Sequence, residues 1–152
     1  MGISLKTNIF TFFKLPSAWW SGVRVKSVNK TEAIVTVRHS WFNQNPFKSI
    51  FWAVLGMAAE LSTGILVMTR IRESGKDISM LVVNNKASFT KKARGRITFK
   101  CIDGQKIENT INEVCRSGEG QTVWMQSIGT DKNGVVVATF DFEWTLKLRQ
   151  KT

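Results

Sequence analysis

The chain of 152 residues is long enough to close one hydrophobic core, and its length alone gives no reason for a second domain. Apolar residues make up 43% of it and charged residues 22%, a balance that excludes a disordered chain. The 22 basic and 11 acidic residues leave a formal charge of +11, which favours nucleic acid, anionic lipid or phosphate-bearing small molecules as partners. Because the basic residues are spread along the chain, a merely solvated surface is another interpretation of this charge.

Cysteine and histidine are scarce, which argues against a metal centre. Cys101 and Cys115 lie fourteen residues apart, no CxxC motif is present, and the chain has one histidine. We therefore expect two reduced thiols, no disulfide framework, no metal and no other cofactor. The first twenty residues lack an uninterrupted apolar run followed by a small-residue cleavage site, so they do not resemble a secretory signal. The expected location is the cytoplasm.

In chain order, residues 1–20 are predicted to form a lead that lays aromatic side chains on an apolar surface, with Pro16 restricting its neighbour. Alternating apolar and polar residues then predict six strands, at 23–28, 31–39, 78–92, 95–102, 121–130 and 134–149. The last two are joined by a turn whose Asn133 and Gly134 tolerate positive φ angles, as a tight hairpin requires. Between the fourth and fifth strands, residues 103–120 are predicted to hold one or two helical turns.

Residues 47–70, between the second and third strands, are predicted to form one long helix. This helix is apolar on nearly every face and must be enclosed, so the element order predicts an α+β fold in which a sheet covers it. It is also long enough to cross a membrane. However, Glu60 near its middle would cost about 2.5 to 3.5 kcal/mol on insertion, and the strands around it predict a soluble sheet. We expect no transmembrane segment.

Two surfaces can be distinguished on this helix at 3.6 residues per turn. The first is broad and apolar and is predicted to pack on the sheet: Phe47, Ile50, Phe51, Val54, Ala58, Leu61, Ile65 and Met68. The second consists of small residues and one acid: Ser49, Ala53, Gly56, Glu60 and Gly64. Small side chains allow another group to approach closely, so the carboxylate is predicted to face a ligand. The alternative is a carboxylate that reaches solvent or pairs with Arg38 or Arg70.

Three segments together resemble a known superfamily. Residues 45–64, "NPFKSIFWAVLGMAAELSTG", are similar to the part of thioesterase-like hotdog proteins in which an Asn precedes a helix start and an acid follows three turns later. The segments "FTKKARGRITFKC" and "DKNGVVVATFDFEW" are similar to the Lys-x-Ala-x-Gly passage and the final hairpin of such proteins. Among them the chain resembles the DUF4442 group. The resemblance extends over residues 16–149.

The resemblance implies a single hotdog domain over residues 1–152, with an antiparallel sheet of five or six strands wrapped around one long central helix. It also implies a homodimer with a continuous sheet, with a tetramer of such dimers left open, and an acyl-thioester site between the protomers. By position, Glu60 would be general base or nucleophile. Backbone N–H groups of the partner's Ser49, Ile50 and Phe51 would polarise the thioester carbonyl, beside the polar Asn45.

One feature departs from the pattern of many active relatives, which carry small glycines at the helix start. This chain has the bulky Phe51 and Trp52 there, and their side chains narrow the path by which a substrate would approach the helix start.

Three functions are consistent with these features of the sequence. The first is an acyl-CoA thioesterase, for which a basic rim would contact the CoA phosphates: Lys86, Lys91, Lys92, Arg94 and Arg96. The second is a non-catalytic acyl or lipid carrier of the same fold, with six Trp and ten Phe supplying an apolar pocket. The third is a binder of nucleic acid or acidic membranes that uses the positive charge. The sequence favours an acyl thioester as the partner, without nucleic acid.

Overall fold

A computed structural model describes residues 3–150, which form a sheet, four α-helices and the connections between them. The strands are β1 (Arg24–Val28), β2 (Ala33–Arg38), β3 (Ile78–Phe89), β4 (Arg96–Cys101), β5 (Gln121–Thr130) and β6 (Val136–Leu148). All neighbouring strands are antiparallel, in the order β1-β2-β4-β5-β6-β3. The six predicted strands are therefore confirmed, with ends that differ by at most three residues.

Four α-helices accompany the sheet: α1 (Ile3–Lys14), α2 (Pro16–Trp20), α3 (Trp52–Ser74) and α4 (Gly104–Ser117); a short 3₁₀ helix spans Trp41–Asn43. The long α3 is the only described helix with the length and hydropathy of a membrane span, and most of it is buried against the sheet. It is therefore the core helix of this fold. A six-stranded antiparallel sheet around one long helix is the hotdog arrangement, so the predicted fold class is confirmed.

The predicted limits of the long helix were wrong at both ends. Residues 47–50 form a turn, and the helix begins at Trp52 instead of residue 47. At the other end the helix continues to Ser74, where Gly75 adopts a left-handed conformation with φ of 66°. A glycine in this position ends a helix at no steric cost, and an i+4 pattern does not reveal it.

The segment before β5 also differs from the prediction, because α4 has 14 residues, about four turns. Its buried Ile107, Ile111 and Val114 recur at intervals of four and three, which is the apolar stripe of a surface helix. The buried Arg70 of α3 joins the two helices through an ion pair of 2.6 Å to Glu108 of α4. It also pairs with Glu73, within α3, at 2.7 Å.

The two edge strands of the sheet differ in whether their open backbone groups have hydrogen-bond partners. At β1, the amide group of Asn8 in α1 makes two hydrogen bonds to the backbone of Val25, at 2.8 and 2.9 Å. This side chain satisfies backbone groups that an edge strand leaves open. The twelve-residue β3 pairs with β6 on one side and has no strand on its other side among the described residues. The β3 edge is therefore the one available for pairing with another chain.

A buried pair of hydroxyl groups joins α3 to the sheet. Ser62 donates to the carbonyl oxygen of Ala59 at 2.7 Å, so its oxygen accepts the hydrogen bond from Ser127 of β5 at 2.6 Å. Both side chains are fully buried. Removing Ser62 leaves the Ser127 hydroxyl without an acceptor, whereas removing Ser127 leaves Ser62 bonded to Ala59.

We expect Ser62→Ala to lower the free energy of unfolding by about 1 to 3 kcal/mol, the cost of an unsatisfied buried hydroxyl. Ser127→Ala should cost less, about 1 kcal/mol or below, and the double variant should be less destabilised than the sum of the two. Urea unfolding of the three variants measures this. Equal losses for the two single variants would contradict the assigned donor direction.

Candidate functional site

The segment that leads into α3 is a turn organised by Asn45. The Oδ1 atom of Asn45 accepts hydrogen bonds from the backbone of Phe47 at 2.9 Å and of Ser49 at 3.2 Å. Its Nδ2 atom donates to the Ser49 hydroxyl at 2.9 Å. Lys48, in the same turn, has a φ of 57°, the one positive φ outside glycine among the described residues. Asn45 and Ser49, both predicted to belong to a site, therefore lie together and bond to each other.

The backbone N–H groups at the start of α3 differ in their availability. The amide of Ile50 donates to Ala93 at 2.8 Å, and the amide of Phe51 donates to Asn43 at 2.9 Å. No side chain caps the helix. The amides of Trp52 and Ala53, in the first turn, have no carbonyl four residues earlier within the helix to receive them. The amides predicted from the sequence to meet a ligand are therefore already occupied, and the free ones lie one and two residues further on.

An apolar cavity of about 740 Å³ opens beside this helix start. It is lined by Asn45, Phe47, Ser49, Ile50, Phe51, Trp52, Leu55, Phe89, Lys91, Lys92 and Ala93, together with Gln44 and Pro46. We refer to it as the helix-start cavity. The aromatic rings of Phe47, Phe51 and Trp52 remain exposed around it, so the predicted bulk at the helix start is present but leaves the cavity open.

Glu60 lies in a second cavity of about 400 Å³, referred to below as the Glu60 cavity. Its walls are supplied by the N-terminal lead, α3 and the sheet: Phe10, Lys14, Leu15, Pro16, Ser17, Ala18, Met57, Leu61, Gly64, Ile65, Met68, Met80 and Trp144. Trp144 is fixed against the helix, because its Nε1 atom donates to Thr63 at 3.0 Å and Thr63 donates to the carbonyl oxygen of Glu60 at 2.9 Å. Phe10 of the lead lies on this wall, but Phe13 and Trp20 are largely exposed, so the prediction that the lead lays its aromatic side chains on an apolar surface was wrong for these residues.

Glu60 is exposed to solvent through the mouth of this cavity. Even so, desolvation by the surrounding protein atoms raises the pKa of its carboxyl group above the ordinary value. No basic group of residues 3–150 lies within ion-pair distance of the carboxylate; Arg70, an alternative partner in the sequence analysis, pairs with Glu73 and Glu108 instead. Glu60 is also the only acid among the described residues that line the two cavities.

Two of the small residues of α3 make room for aromatic rings of the sheet. A Cβ atom added to Gly64 would lie 3.3 Å from the ring of Trp144, and one added to Gly56 would lie 3.6 Å from the ring of Phe140. Both aromatic residues belong to β6. The predicted close approach is therefore present, but at these two positions the group that approaches is an aromatic side chain of the protein itself. Phe47 and Phe51 of the predicted apolar surface are exposed, whereas Ile50, which also precedes the helix, is buried.

The predicted basic rim is only partly assembled. Lys91 and Lys92 line the helix-start cavity, while Arg94, in the same connection, and Arg96, at the start of β4, are exposed but line neither cavity. Lys91 is engaged with Asp131 at 2.7 Å, a contact that lowers the pKa of this aspartate. The ammonium group of Lys92 lies 5.7 Å from the ring centroid of Phe47. Lys86, on β3 before this connection, has its ammonium group 4.5 Å from the ring centroid of Trp124.

Within this chain, the predicted site residues that line a cavity fall into two groups. Asn45, Ser49, Ile50, Phe51, Lys91 and Lys92 border the helix-start cavity, and Glu60 borders the other. The residues predicted for a site did not include Lys14, Thr63, Trp144 or the amides of Trp52 and Ala53. Of these, only the amides of Trp52 and Ala53 could have been predicted from the sequence, because the first amides of any helix lack intrahelical acceptors.

The fold matches those of several solved structures. A Pseudomonas aeruginosa protein of unknown function, described as a "Probable Thioesterase", is 20% identical and superposes with a TM-score of 0.83 over 98% of this chain and 99% of its own. A Chlorobaculum tepidum protein of unknown function is 17% identical, with a TM-score of 0.82 and coverages of 97% and 95%. A thioesterase from Haemophilus influenzae is 8% identical, with a TM-score of 0.73 and coverages of 99% and 94%.

At these identities the similarity establishes the hotdog fold and nothing more specific. No curated protein matches the sequence. The sequence profile described as "Domain of unknown function (DUF4442)" matches residues 7–146, which is nearly the whole chain. The chain therefore belongs to the DUF4442 family, in agreement with the resemblance found in its sequence.

Proposed function

We propose that this protein is an acyl-thioester hydrolase that acts on acyl-CoA at the interface of a homodimer. The observation that carries the proposal is Glu60, an unpaired carboxylate with a raised pKa in a largely apolar cavity. A carboxylate in such surroundings is suited to take a proton from water or to attack a carbonyl carbon directly. The description of two fold neighbours as thioesterases supports the same reaction class.

The second half of the site is proposed to come from the other protomer. Glu60 and the helix start of the same chain border different cavities, so one protomer does not present both to a single carbonyl group. The open edge of β3 offers a way to join two copies across a two-fold axis. In the resulting dimer, Glu60 of one chain would face the helix start of its partner.

The oxyanion would be stabilised by the free amides of Trp52 and Ala53, because those of Ile50 and Phe51 already have acceptors. Unpaired N–H groups at a helix start favour negative charge, and donors of this kind contribute most where charge develops in the transition state. Asn45 and Ser49 would act as positioning residues. Their hydrogen bonds fix the turn that leads into α3.

The test is a screen of the purified protein against short, medium, long and aromatic acyl-CoAs, with detection of the released thiol. Hydrolysis of any class supports the proposal. Tight binding of an acyl-CoA without turnover would replace it with an acyl carrier, in which Glu60 would anchor the ligand head group. The exposed rings of Phe47, Phe51 and Trp52 around the helix-start cavity are the observation that favours this second candidate.

The basic rim provides a prediction about the CoA nucleotide. Lys92→Ala combined with Arg94→Ala should weaken acyl-CoA binding about tenfold, since two cations that could meet the phosphates are removed. A short acyl thioester without the nucleotide should be hydrolysed as before. Lys147→Ala, which removes an exposed lysine at the far end of β6, is the control. Equal weakening for both substrates would mean that the rim does not contact the nucleotide.

A further inference from the structure

Helix α1 is oriented with its polar side toward the protein. Thr7 and Thr11 are buried, and Asn8 is bonded to the edge of β1. An amphipathic surface helix of a soluble protein normally buries its apolar side instead. The polar docking of α1 therefore leaves its apolar residues facing outward.

The outward side of α1 consists of Leu5, Ile9, Phe12 and Phe13, which we call the α1 apolar face. All four are exposed, and Phe13 keeps 71% of its surface. Trp20, at the end of α2 in the same N-terminal part of the chain, is also exposed, with 65% of its surface accessible. An apolar helix face that residues 3–150 leave largely uncovered indicates a surface that meets another apolar phase or partner.

The charge around this face indicates which partner it meets. No acidic residue precedes Glu32, whereas residues 1–31 contain five basic ones: Lys6, Lys14, Arg24, Lys26 and Lys30. Lys6 and Lys14 are exposed on α1 itself. A second copy of the chain would bring a further +11 charge and the same basic segment against this face. An anionic surface complements it, and Lys together with Phe and Trp is the composition of helices that lie in a lipid interface.

We propose that the α1 apolar face docks on an anionic lipid surface, with Lys6 and Lys14 contacting the head groups. Phe10 and Lys14 of the same helix line the Glu60 cavity. The helix that presents the docking face therefore also borders that cavity. The proposal does not depend on thioester hydrolysis, since a carrier with the same cavity would dock in the same way.

The test is co-sedimentation of the full chain with vesicles of phosphatidylcholine alone or mixed with phosphatidylglycerol. The protein should partition at least about tenfold more strongly onto the mixed vesicles, and added salt should weaken this binding. Absence of binding to the mixed vesicles, or equal binding to both kinds, would overturn the proposal.

Two variants separate the apolar from the electrostatic contribution. Leu5→Ser, Ile9→Ser and Phe13→Ser together should reduce partitioning about tenfold or more, and so should Lys6→Glu with Lys14→Glu. The control is Ile102→Ser with Val135→Ser, two exposed apolar residues outside α1.

Circular dichroism checks that each variant is folded; should the triple variant unfold, the lysine pair decides, because both lysines are exposed. Unchanged partitioning in the folded variants would overturn the proposal. A fall in oligomeric mass for the triple variant, without vesicle binding by the wild type, would assign the face to a second copy.

Discussion

Glu60→Gln is expected to lower acyl-CoA turnover by about 10² or more while leaving the fold and the oligomeric mass unchanged. The amide has nearly the shape of the carboxylate but cannot accept a proton or attack a carbonyl carbon. Because no cation of residues 3–150 is paired with Glu60, the substitution leaves none of their charges without a partner. Initial rates of thiol release under saturating substrate measure the effect.

The matched control is Glu119→Gln, the same chemical change at an exposed acid in the connection between α4 and β5. Its turnover should equal that of the wild type. If Glu60→Gln also hydrolyses acyl-CoA at the wild-type rate, Glu60 is not the catalytic group.

The pH profile gives a second measure of the same assignment. The proposed base works in its ionised form, so turnover should fall as the pH drops through the pKa of Glu60. Desolvation raises this pKa, and the acidic limb should therefore lie above 4.5, the ordinary value for a glutamate. In Glu60→Gln the residual activity should lose this limb. An unchanged limb would assign the titration to another group.

The strands were predictable because each depends on a local alternation of apolar and polar residues that the sheet then uses directly. In β6, for example, Phe140, Phe142, Trp144 and Leu146 are all buried at intervals of two. The length of α4 was also within reach, since Ile107, Ile111 and Val114 follow helical spacing and Gly118 ends the helix with a φ of 75°. The other residues of α4 are largely polar, which made this helical spacing hard to recognise in the sequence.

Other features depend on contacts between distant segments, which a local pattern does not contain. The occupied amides at the start of α3 are an example, because the acceptor for Ile50 is Ala93, more than forty residues away. The same holds for α1, whose polar side is held by the edge of β1. For Glu60, the sequence indicated an unusual acid in apolar surroundings. The cavity around it needed the N-terminal lead, whose place in the fold the sequence did not specify.

The open edge of β3 provides the last prediction, in which a single substitution separates the protomers. Leu81 lies on this strand with 63% of its surface exposed. Leu81→Asp would place a charge on the edge proposed to pair with a second chain, and charges on an edge strand oppose such pairing. We expect the mass measured by light scattering to fall from that of a dimer to that of one chain.

Turnover should fall with the mass, by about 10² or more, because each Glu60 would lose the amides that its partner is proposed to supply. Ile102→Asp is the control, since Ile102 is equally apolar and 68% exposed but lies outside the strand. It should change neither mass nor turnover. A Leu81→Asp protein that is monomeric and fully active would show that one chain contains the whole site, and the free amides of Trp52 and Ala53 would then have no part in the reaction.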